Sequence, residues 1–408
     1  MIHMTKLEEF SFSKRFPDFP TIGSAFAGKK AITIPLSFGY PAPESFPISS
    51  LIEASAAALQ TEGRQALQYS GGPGQQKVAE WIKHRSRLRA IDVEEKNILV
   101  TTGSNQGIDI LTRTLADPGE HVWVEAPIYF GALRYFRLAE VELTSFPIDE
   151  NGLRVDLVEE ALIDAKKNGK PIPKFLYVIP NYHNPAGVNL SVERRKKLAE
   201  LAYEYNFYIV EDDAYVELSF TGEFLPSIYS FGPERVIYLS TCSKIIAPGI
   251  RIGWTIAGEN VLNKMRLLKS DGYTSVFVQE VISQFLENVD FDEHRRQLVS
   301  CYRSRRDSMV DAIKEYLDGH VSFILPEGGF FLWLSFAPEV DTSAFLESAS
   351  EHGVSYIDGR HFYLHEEEVN SMRLCFSFCD EEQIREGIRV IAESYFEYMK
   401  NQKVLEEV

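Results

Sequence analysis

The sequence is poor in cysteine and in basic residues, and it has no long apolar run. Its four cysteines, at positions 242, 301, 375 and 379, have neither zinc-site nor disulfide-framework spacing. No run is long enough to cross a membrane, and residues 1–5 lack the apolar core of a signal peptide. The 42 basic residues are outnumbered by 59 acidic ones, and the formal charge of −17 argues against nucleic-acid binding by the bulk surface. These absences predict a cytoplasmic protein without a metal, membrane or nucleic-acid partner.

The distribution of apolar residues predicts two domains. A chain of 408 residues is too long for a single core. Strands alternate with helical stretches over residues 97–257, which indicates βαβ units and a mostly parallel sheet. Residues 259–318 read as mainly helical. The last quarter mixes short strands with helices at 342–352 and 381–400, a pattern typical of a smaller α+β domain.

The most informative residue is Lys244, because of its neighbours. Thr241 and Ser243 provide hydroxyl groups beside it, and Arg251 follows seven positions later. A buried lysine readily loses its charge and can form a Schiff base with a carbonyl. Hydroxyls and an arginine are what a phosphate needs nearby. One cofactor makes both demands, namely the aldehyde pyridoxal 5′-phosphate (PLP). The alternative is a solvated lysine in a glycine-rich turn.

Two predicted strands end in residues that suit such a cofactor. The apolar run 175–179 leads to Asn184 in an Asn-Pro-x-Gly turn, where an open α/β sheet binds ligands. An ordinary turn is the alternative. The run 207–210 ends in three acids followed by Tyr215. A buried carboxylate keeps the pyridine nitrogen protonated, and a phenol suits the ring's O3′. These residues alone leave Asp212, Asp213 and a solvated acidic turn open.

Two further positions suit anions. The predicted strand 97–102 runs into a glycine-rich turn and a helix near Ser104 and Asn105, where free backbone N–H groups and the helix dipole favour a phosphate. Ser104 as a simple N-cap is the alternative. Arg373 interrupts an apolar strand, which is costly unless it is paired. Its N–H fork suits a carboxylate, either of a substrate or within the chain.

In this order, the motifs resemble those of the class I and II aminotransferases, from about residue 36 to the end of the chain. The resemblance implies the PLP-dependent transferase fold type I. This is an α/β fold whose large domain has a mostly parallel central sheet, joined to a smaller α+β domain. It also implies transfer of an amino group between an α-amino acid and a 2-oxo acid, with Lys244 as the catalytic residue. The family's Asp-x-x-Tyr spacing favours Asp212 over Asp213.

The resemblance assigns roles to the remaining candidates. The cofactor-binding residues it implies are Tyr69, Ser104, Asn105, Tyr129, Asn184, Asp212, Tyr215, Thr241, Ser243 and Arg251. The substrate-binding residues it implies are Gly39, Tyr40, Asn184 and Arg373, with Arg373 on the α-carboxylate. Tyr129 stacks on the cofactor ring in this reading. Tyr69 lies in a segment, 67–74, that resembles the one donating a tyrosine to the partner subunit's phosphate, so a homodimer with shared sites is expected.

Residues 36–47 resemble a narrower group, the aminoadipate, kynurenine and aromatic aminotransferases and the aminotransferase-like half of MocR-type regulators. That group has two glycines where this chain has Gly39 and Tyr40. The expected divisions are an N-terminal arm at 1–45 that packs on the small domain, a large domain at 46–285 and a small domain at 286–408. The arm carries Lys14, Arg15 and several phenylalanines near the expected substrate side chain. Aromatic and long dicarboxylic amino acids both fit.

The sequence leaves two other functions open. Another PLP reaction, such as β-elimination, can use the same scaffold. A ligand-sensing domain of the MocR type is the second alternative. Such a domain would follow a DNA-binding winged helix, for which about 35 residues leave too little room.

Overall fold

The computed structural model describes residues 32–69, 73–365 and 369–406. The predicted N-terminal arm, with Lys14 and Arg15, lies outside the described residues up to position 31. The strands are β1 (Ile34–Pro35), β2 (Ile98–Thr101), β3 (His121–Ala126), β4 (Glu142–Asp149), β5 (Gly152–Leu153), β6 (Phe175–Val178), β7 (Tyr208–Asp212), β8 (Val236–Thr241), β9 (Gly253–Ile256), β10 (Val321–Ser322), β11 (Phe331–Phe336), β12 (Val354–Ser355), β13 (Ile357–Asp358) and β14 (Ser371–Cys375). The α-helices are α1 (Ile48–Ala66), α2 (Pro73–Ser86), α3 (Ser104–Leu115), α4 (Phe130–Leu138), α5 (Val155–Asn168), α6 (Val192–Tyr205), α7 (Glu259–Leu268), α8 (Val276–Asn288), α9 (Phe291–Tyr316), α10 (Leu346–Glu351) and α11 (Glu381–Glu406).

The large sheet has the strand order β2-β9-β8-β7-β6-β3-β4-β5. Strands β4, β3, β6, β7 and β8 are parallel to their neighbours in this series. Helices α4, α5 and α6 lie in three of the crossover connections, and two 3-10 turns lie in the connection from β7 to β8. Strand β9 is antiparallel to both β2 and β8, and β5 is antiparallel to β4. The prediction of a mostly parallel central sheet is confirmed.

Both faces of this sheet are buried, as a parallel sheet requires. One face packs on α3, α4 and α7 through residues such as Leu111, Phe136 and Met265. The other face packs on α5 and α6 through residues such as Leu162 and Leu198. Successive strand residues alternate between the two faces, which gives each strand its continuous apolar sequence.

The second sheet is antiparallel, with the order β10-β11-β14-β13. The two long helices α9 and α11 pack against each other beside it. Strand β1 pairs with β12, which ties the start of the described chain to this region. The predicted helix at 342–352 consists of a 3-10 turn, Thr342–Phe345, followed by α10. A smaller α+β unit therefore accompanies the large sheet, and the predicted fold class is confirmed.

Within the described residues, no helix is both long enough and apolar enough to cross a membrane. The carboxyl ends of β6, β7 and β8 meet the amino end of α3 and the buried strand β14 at one place. This is the edge where open α/β sheets bind ligands.

Candidate active site

A cavity of about 550 Å³ lies where the large sheet faces the antiparallel sheet. The predicted site residues that line it are Gly39, Tyr40, Ser104, Asn105, Tyr129, Asn184, Asp212, Tyr215, Thr241, Ser243, Lys244, Arg251 and Arg373. Of the predicted residues, Tyr69 alone does not line it. The lining comes from segments more than 300 positions apart in the sequence, so the fold has to close before the site exists.

Lys244 ends the short 3-10 turn Cys242–Lys244 that follows β8. The hydroxyl of Thr241 caps this turn by accepting a hydrogen bond from the backbone N–H of Ser243 at 3.1 Å. The Nζ of Lys244 donates to the carbonyl oxygen of Gly39 at 2.9 Å. Burial lowers the pKa of Lys244 to about 8. The lowered pKa leaves more of this amine neutral at physiological pH than in an exposed lysine, which suits it to act as a nucleophile and as a base.

An anion-binding pocket lies at the amino end of α3. The N-cap of α3 is Gly103, with φ +76°, and not Ser104 as the alternative reading had it. A Cβ atom at Gly103 would lie 2.2 Å from Nη2 of Arg251, so only glycine lets the guanidinium come this close. Nη2 of Arg251 also donates to the carbonyl of Thr102 at 3.1 Å. Free N–H groups of α3 and the Arg251 cation thus converge on one side of the cavity.

The two neighbouring acids at the end of β7 have different surroundings. Asp212 lines the cavity, and its Oδ2 accepts a 2.6 Å hydrogen bond from the hydroxyl of Tyr177. Burial raises the pKa of Asp212 to about 6. Asp213 does not line the cavity; its oxygens accept from Asn181 at 2.8 Å and from Tyr238 at 3.0 Å. Of the two, Asp212 is therefore the one placed to meet a ligand.

Four polar side chains surround the centre of the cavity. The side-chain amide of Asn184 donates to the hydroxyl of Tyr215 at 3.5 Å. Tyr129 precedes α4, and Asn105 hydrogen-bonds its hydroxyl. Burial raises the pKa of Tyr129 to about 12, so this phenol stays neutral at ordinary pH. The arrangement provides neutral donors and a flat aromatic ring for a planar ligand.

Arg373 lies at the far side of the cavity, on the buried strand β14. Its Nη1 donates to Oδ1 of Asn184 at 3.0 Å and its Nη2 to the carbonyl of Ser37 at 2.8 Å. The guanidinium carbon lies 4.3 Å from the ring centroid of Phe331. Within the described residues no carboxylate pairs with Arg373, and its Nε lacks a hydrogen-bond partner. The intramolecular ion pair is therefore not found there, and a buried cation faces the cavity.

Several lining residues were missed by the sequence reasoning. They are Ser37, Phe38, Phe130, Ile179, Ala214, Pro248, Phe331 and Ile357. Phe331 is the first residue of β11, and Ile357 belongs to a two-residue strand with no periodicity to reveal it. Tyr177, the partner of Asp212, was visible only as one residue of an apolar run. The contact between Tyr177 and Asp212 depends on the pairing of β6 with β7, which the sequence of the run does not show.

Three predicted residues, Tyr40, Tyr69 and Arg251, are exposed. Tyr40 lines the cavity with 56% of its surface accessible, and its ring centroid lies 5.1 Å from that of Phe38. Tyr69 is 86% exposed, beyond the end of α1. Because Tyr69 is exposed and does not line the cavity, its side chain contributes nothing to the site of its own chain.

Comparison with known proteins decides the family. A family model described as aminotransferase class I and II matches residues 33–391. The chain belongs to this family. It is 40% identical over 374 residues to aromatic-amino-acid aminotransferase 1 of Thermococcus litoralis, covering 90% of this chain and 89% of the relative.

Solved structures show the same likeness over nearly the full length. The multiple substrate aminotransferase of Thermococcus profundus matches with a TM-score of 0.89 and 38% identity, over 96% of this chain and 98% of that one. The α-aminoadipate aminotransferase of Thermus thermophilus, complexed with N-(5′-phosphopyridoxyl)-L-leucine, matches with a TM-score of 0.84 and 31% identity, over 94% and 96%. The chain is a PLP-dependent aminotransferase that moves an amino group between an α-amino acid and a 2-oxo acid.

The residues present fit PLP. The cofactor's phosphate matches the anion pocket of α3, and its aldehyde matches the weakly basic amine of Lys244. Oδ1 of Asp212 is buried and has no hydrogen-bond partner within the described residues, as expected of an acceptor reserved for a ligand. When bound, PLP supplies an electron sink for charge that develops on the substrate's α-carbon.

Proposed function

We propose that Lys244, Asp212 and Arg373 divide the catalytic work of this aminotransferase. Lys244 binds the aldehyde carbon of the cofactor and moves the proton at the substrate's α-carbon. Asp212 holds the proton on the cofactor's ring nitrogen, and Arg373 binds the substrate's α-carboxylate. The observation that carries the proposal is that these three groups line one cavity, where Oδ1 of Asp212 and Nε of Arg373 have no hydrogen-bond partner within the described residues.

The phosphate group belongs, in this proposal, to the pocket formed by Ser104, Asn105, Ser243 and Arg251, with Thr241 orienting the turn. Tyr129 stacks on the cofactor ring. Tyr215 and Asn184 hydrogen-bond the ring's O3′, and Asn184 also orients Arg373. The carbonyl oxygen of Gly39 accepts the hydrogen bond from Nζ of Lys244 as long as the cofactor is not bound to this amine.

We propose aromatic α-amino acids as the substrate class. The described lining contains three cations, Lys244, Arg251 and Arg373, and each already has a role above. A second substrate carboxylate would therefore meet no further cation in this part of the chain. The rings of Phe38 and Tyr40 pack together on one side of the cavity. The ring centroids of Phe130 and Phe331 lie 5.5 and 4.3 Å from the guanidinium carbon of Arg373. An aromatic side chain can pack on these rings without an unpaired charge.

Donor specificity tests this proposal. The rate of the first half-reaction is measured with phenylalanine, tyrosine, 2-aminoadipate and glutamate. We expect kcat/KM to be at least about tenfold higher for the aromatic donors, since burying an aromatic side chain contributes about 1.5–3 kcal/mol and about 1.4 kcal/mol is a factor of ten. Tyr40→Ala should lower the value for phenylalanine and leave that for 2-aminoadipate unchanged. Tyr203→Ala, at an exposed tyrosine of α6, is the control. A preference for 2-aminoadipate would overturn the proposal and point to Lys14 or Arg15.

We propose a homodimer in which Tyr69 of one chain reaches the phosphate pocket of its partner. The support is that Tyr69 is almost fully exposed and lies outside its own chain's cavity. Light scattering gives the assembly state. Mixing Tyr69→Phe with Lys244→Ala chains should restore activity, because one site in each mixed dimer carries neither change. Random exchange predicts about a quarter of the wild-type value. A fully active monomer would contradict the proposal, as would a lack of recovery after proven exchange.

The division into units at 1–45, 46–285 and 286–408, and a cytoplasmic location, are also part of the proposal. The eight-stranded sheet uses residues between 98 and 256, and the antiparallel sheet uses residues after 320, which supports a boundary between them. Limited proteolysis followed by mass spectrometry locates such a boundary.

A further inference from the structure

The register of the large sheet brings Tyr177 to Asp212. In the parallel pair β6 and β7, Tyr177 stands opposite Val210. Val210 and Asp212 are two positions apart, so their side chains point to the same face of the sheet as Tyr177. The phenol extends along this face toward the carboxyl end of β7, and its hydroxyl reaches Oδ2 of Asp212 at 2.6 Å.

The two oxygens of Asp212 are thereby made unequal. Oδ2 is held by the Tyr177 hydroxyl, whereas Oδ1 is buried without a partner in the described chain. A carboxylate with neither oxygen held could turn about its terminal torsion, which has a broad and shallow energy profile. One short hydrogen bond removes that freedom at a site where the free oxygen has to meet a ligand.

The neighbouring acid, Asp213, also accepts a hydrogen bond from a buried tyrosine, but it does not line the cavity. Asp213 accepts hydrogen bonds from Tyr238 and Asn181, and both of its oxygens are occupied. Each of the two adjacent acids thus has its own buried tyrosine as a donor. Only the acid that lines the cavity keeps an oxygen free.

Tyr177 is suited to be a permanent donor. Burial and the nearby Asp212 hold its pKa well above the ordinary value, so its proton stays in place at working pH. Its ring is fully buried and packs edge-to-face on Phe136 with centroids 5.5 Å apart. This packing holds the ring independently of the hydroxyl. Phenylalanine can therefore occupy the same place without the donor.

We propose that Tyr177 is a positioning residue for transamination: its hydroxyl holds one oxygen of Asp212 and leaves the other free for the ring nitrogen of the cofactor. The inference rests on the proposed role of Asp212. The other groups that act on the Asp212 charge are Asp213, which disfavours it, Lys244, which favours it, and the phenols of Tyr129 and Tyr215. Tyr177 differs from these because it donates directly to the carboxylate.

The test compares Tyr177→Phe with Tyr238→Phe and Asp212→Asn. Tyr238→Phe is a matched control, since it removes a buried hydroxyl from Asp213 in the same sheet. Each protein is loaded with PLP isotopically labelled at the ring nitrogen. The nitrogen chemical shift, followed against pH, reports ring protonation, while kcat, KM and the thermal midpoint are measured in parallel.

We expect Tyr177→Phe to shift the ring nitrogen toward its unprotonated form and to lower kcat about ten- to a hundredfold, the scale set by a lost hydrogen bond to a charged group. KM for the amino acid should change less than about threefold, because Arg373 is untouched. The hydrogen bond from Tyr177 lowers the pKa of the Asp212 carboxyl. Without this donor, Asp212 keeps its own proton to higher pH, so it stabilises the protonated ring nitrogen less well. Tyr238→Phe should match the wild type in nitrogen shift.

A wild-type nitrogen shift in Tyr177→Phe overturns the inference, provided that Asp212→Asn loses ring protonation. A wild-type shift in Asp212→Asn overturns the proposed role of Asp212 instead. If Tyr177→Phe does not take up the cofactor, fluorotyrosine at position 177 replaces it, since this residue keeps the donor and the ring shape. Fluorine makes the phenol a stronger donor to Asp212, so the ring nitrogen should stay protonated to higher pH with fluorotyrosine, and an unchanged pH profile contradicts the inference.

Discussion

Replacing Arg373 by glutamine removes the buried cation that we assign to the substrate's α-carboxylate. In the structure the guanidinium is held by Asn184 and Ser37, so its position does not depend on a ligand. A hydrogen bond to a charged group contributes about 1.5–3 kcal/mol, so a bidentate pair contributes roughly 3–6 kcal/mol. Since 1.4 kcal/mol is a factor of ten, this is roughly 10²- to 10⁴-fold in kcat/KM. Glutamine keeps one donor, and we therefore expect the lower half of that range.

The assay uses two donors that differ only in the carboxylate. Phenylalanine has it and 2-phenylethylamine lacks it, and the half-reaction is followed by cofactor absorbance with each. The Arg373→Gln enzyme should lose about a hundredfold or more with phenylalanine and less than about threefold with the amine. The difference between the two losses isolates the carboxylate contact from any general damage to the site.

Arg373→Lys is the companion variant. It keeps a positive charge but lacks the planar fork, so we expect a loss between those of the wild type and the glutamine variant. Thermal midpoints are needed as well, because Oδ1 of Asn184 and the carbonyl of Ser37 lose their donor in both variants. Equal losses with phenylalanine and with the amine would refute the assignment, since a structural defect affects both donors alike.

Three further outcomes are expected. Lys244→Ala should lose the absorbance of the lysine-bound cofactor and all turnover, and borohydride reduction of the wild type followed by peptide mapping should label Lys244; a label on another lysine would contradict this. Asp212→Asn should lower kcat far more than cofactor affinity, because each pKa unit lost at the ring nitrogen is worth about 1.4 kcal/mol, whereas an equal effect of Asp213→Asn would remove the distinction between the acids. The third outcome concerns the cofactor-free enzyme. The folded chain loses the Lys244 proton near pH 8, whereas the unfolded chain keeps it up to the ordinary lysine pKa. The contribution of Lys244 to the free energy of unfolding should therefore rise with pH above about 8. Urea unfolding of wild type and Lys244→Met across that range measures this, and an identical pH dependence of the two proteins would show that the lysine does not contribute.

Several elements could be predicted because their signals are local. The runs 175–179 and 207–210 are apolar over four or five residues and read directly as the buried strands β6 and β7. The turn around Lys244 was recognisable from neighbouring residue types, since an amine, hydroxyls and an arginine at short spacing suit one cofactor. The mostly parallel sheet and the family followed from the order of these motifs.

Other features were beyond local reasoning. Which of Asp212 and Asp213 faces the cavity could not be read from the residues alone, because both lie at the end of the same strand and have the same chemistry. Ile357 and Phe38 have no periodic pattern around them, yet they line the cavity. The place of β9, antiparallel between two strands far apart in sequence, was likewise not predicted.

By itself, the sequence determined the cofactor chemistry, the strands that carry it and the family, because each depends on residue types within a few positions of one another. The tertiary structure alone decided that Tyr177 serves Asp212, that Arg373 lies beside Asn184 without a carboxylate in the described chain, and that Tyr69 stays outside the cavity. The first two relations join residues that are 35 and 189 positions apart in the sequence. The third depends on the direction in which the chain leaves the carboxyl end of α1. Strand order and register set such distances, and no stretch of residues encodes them locally.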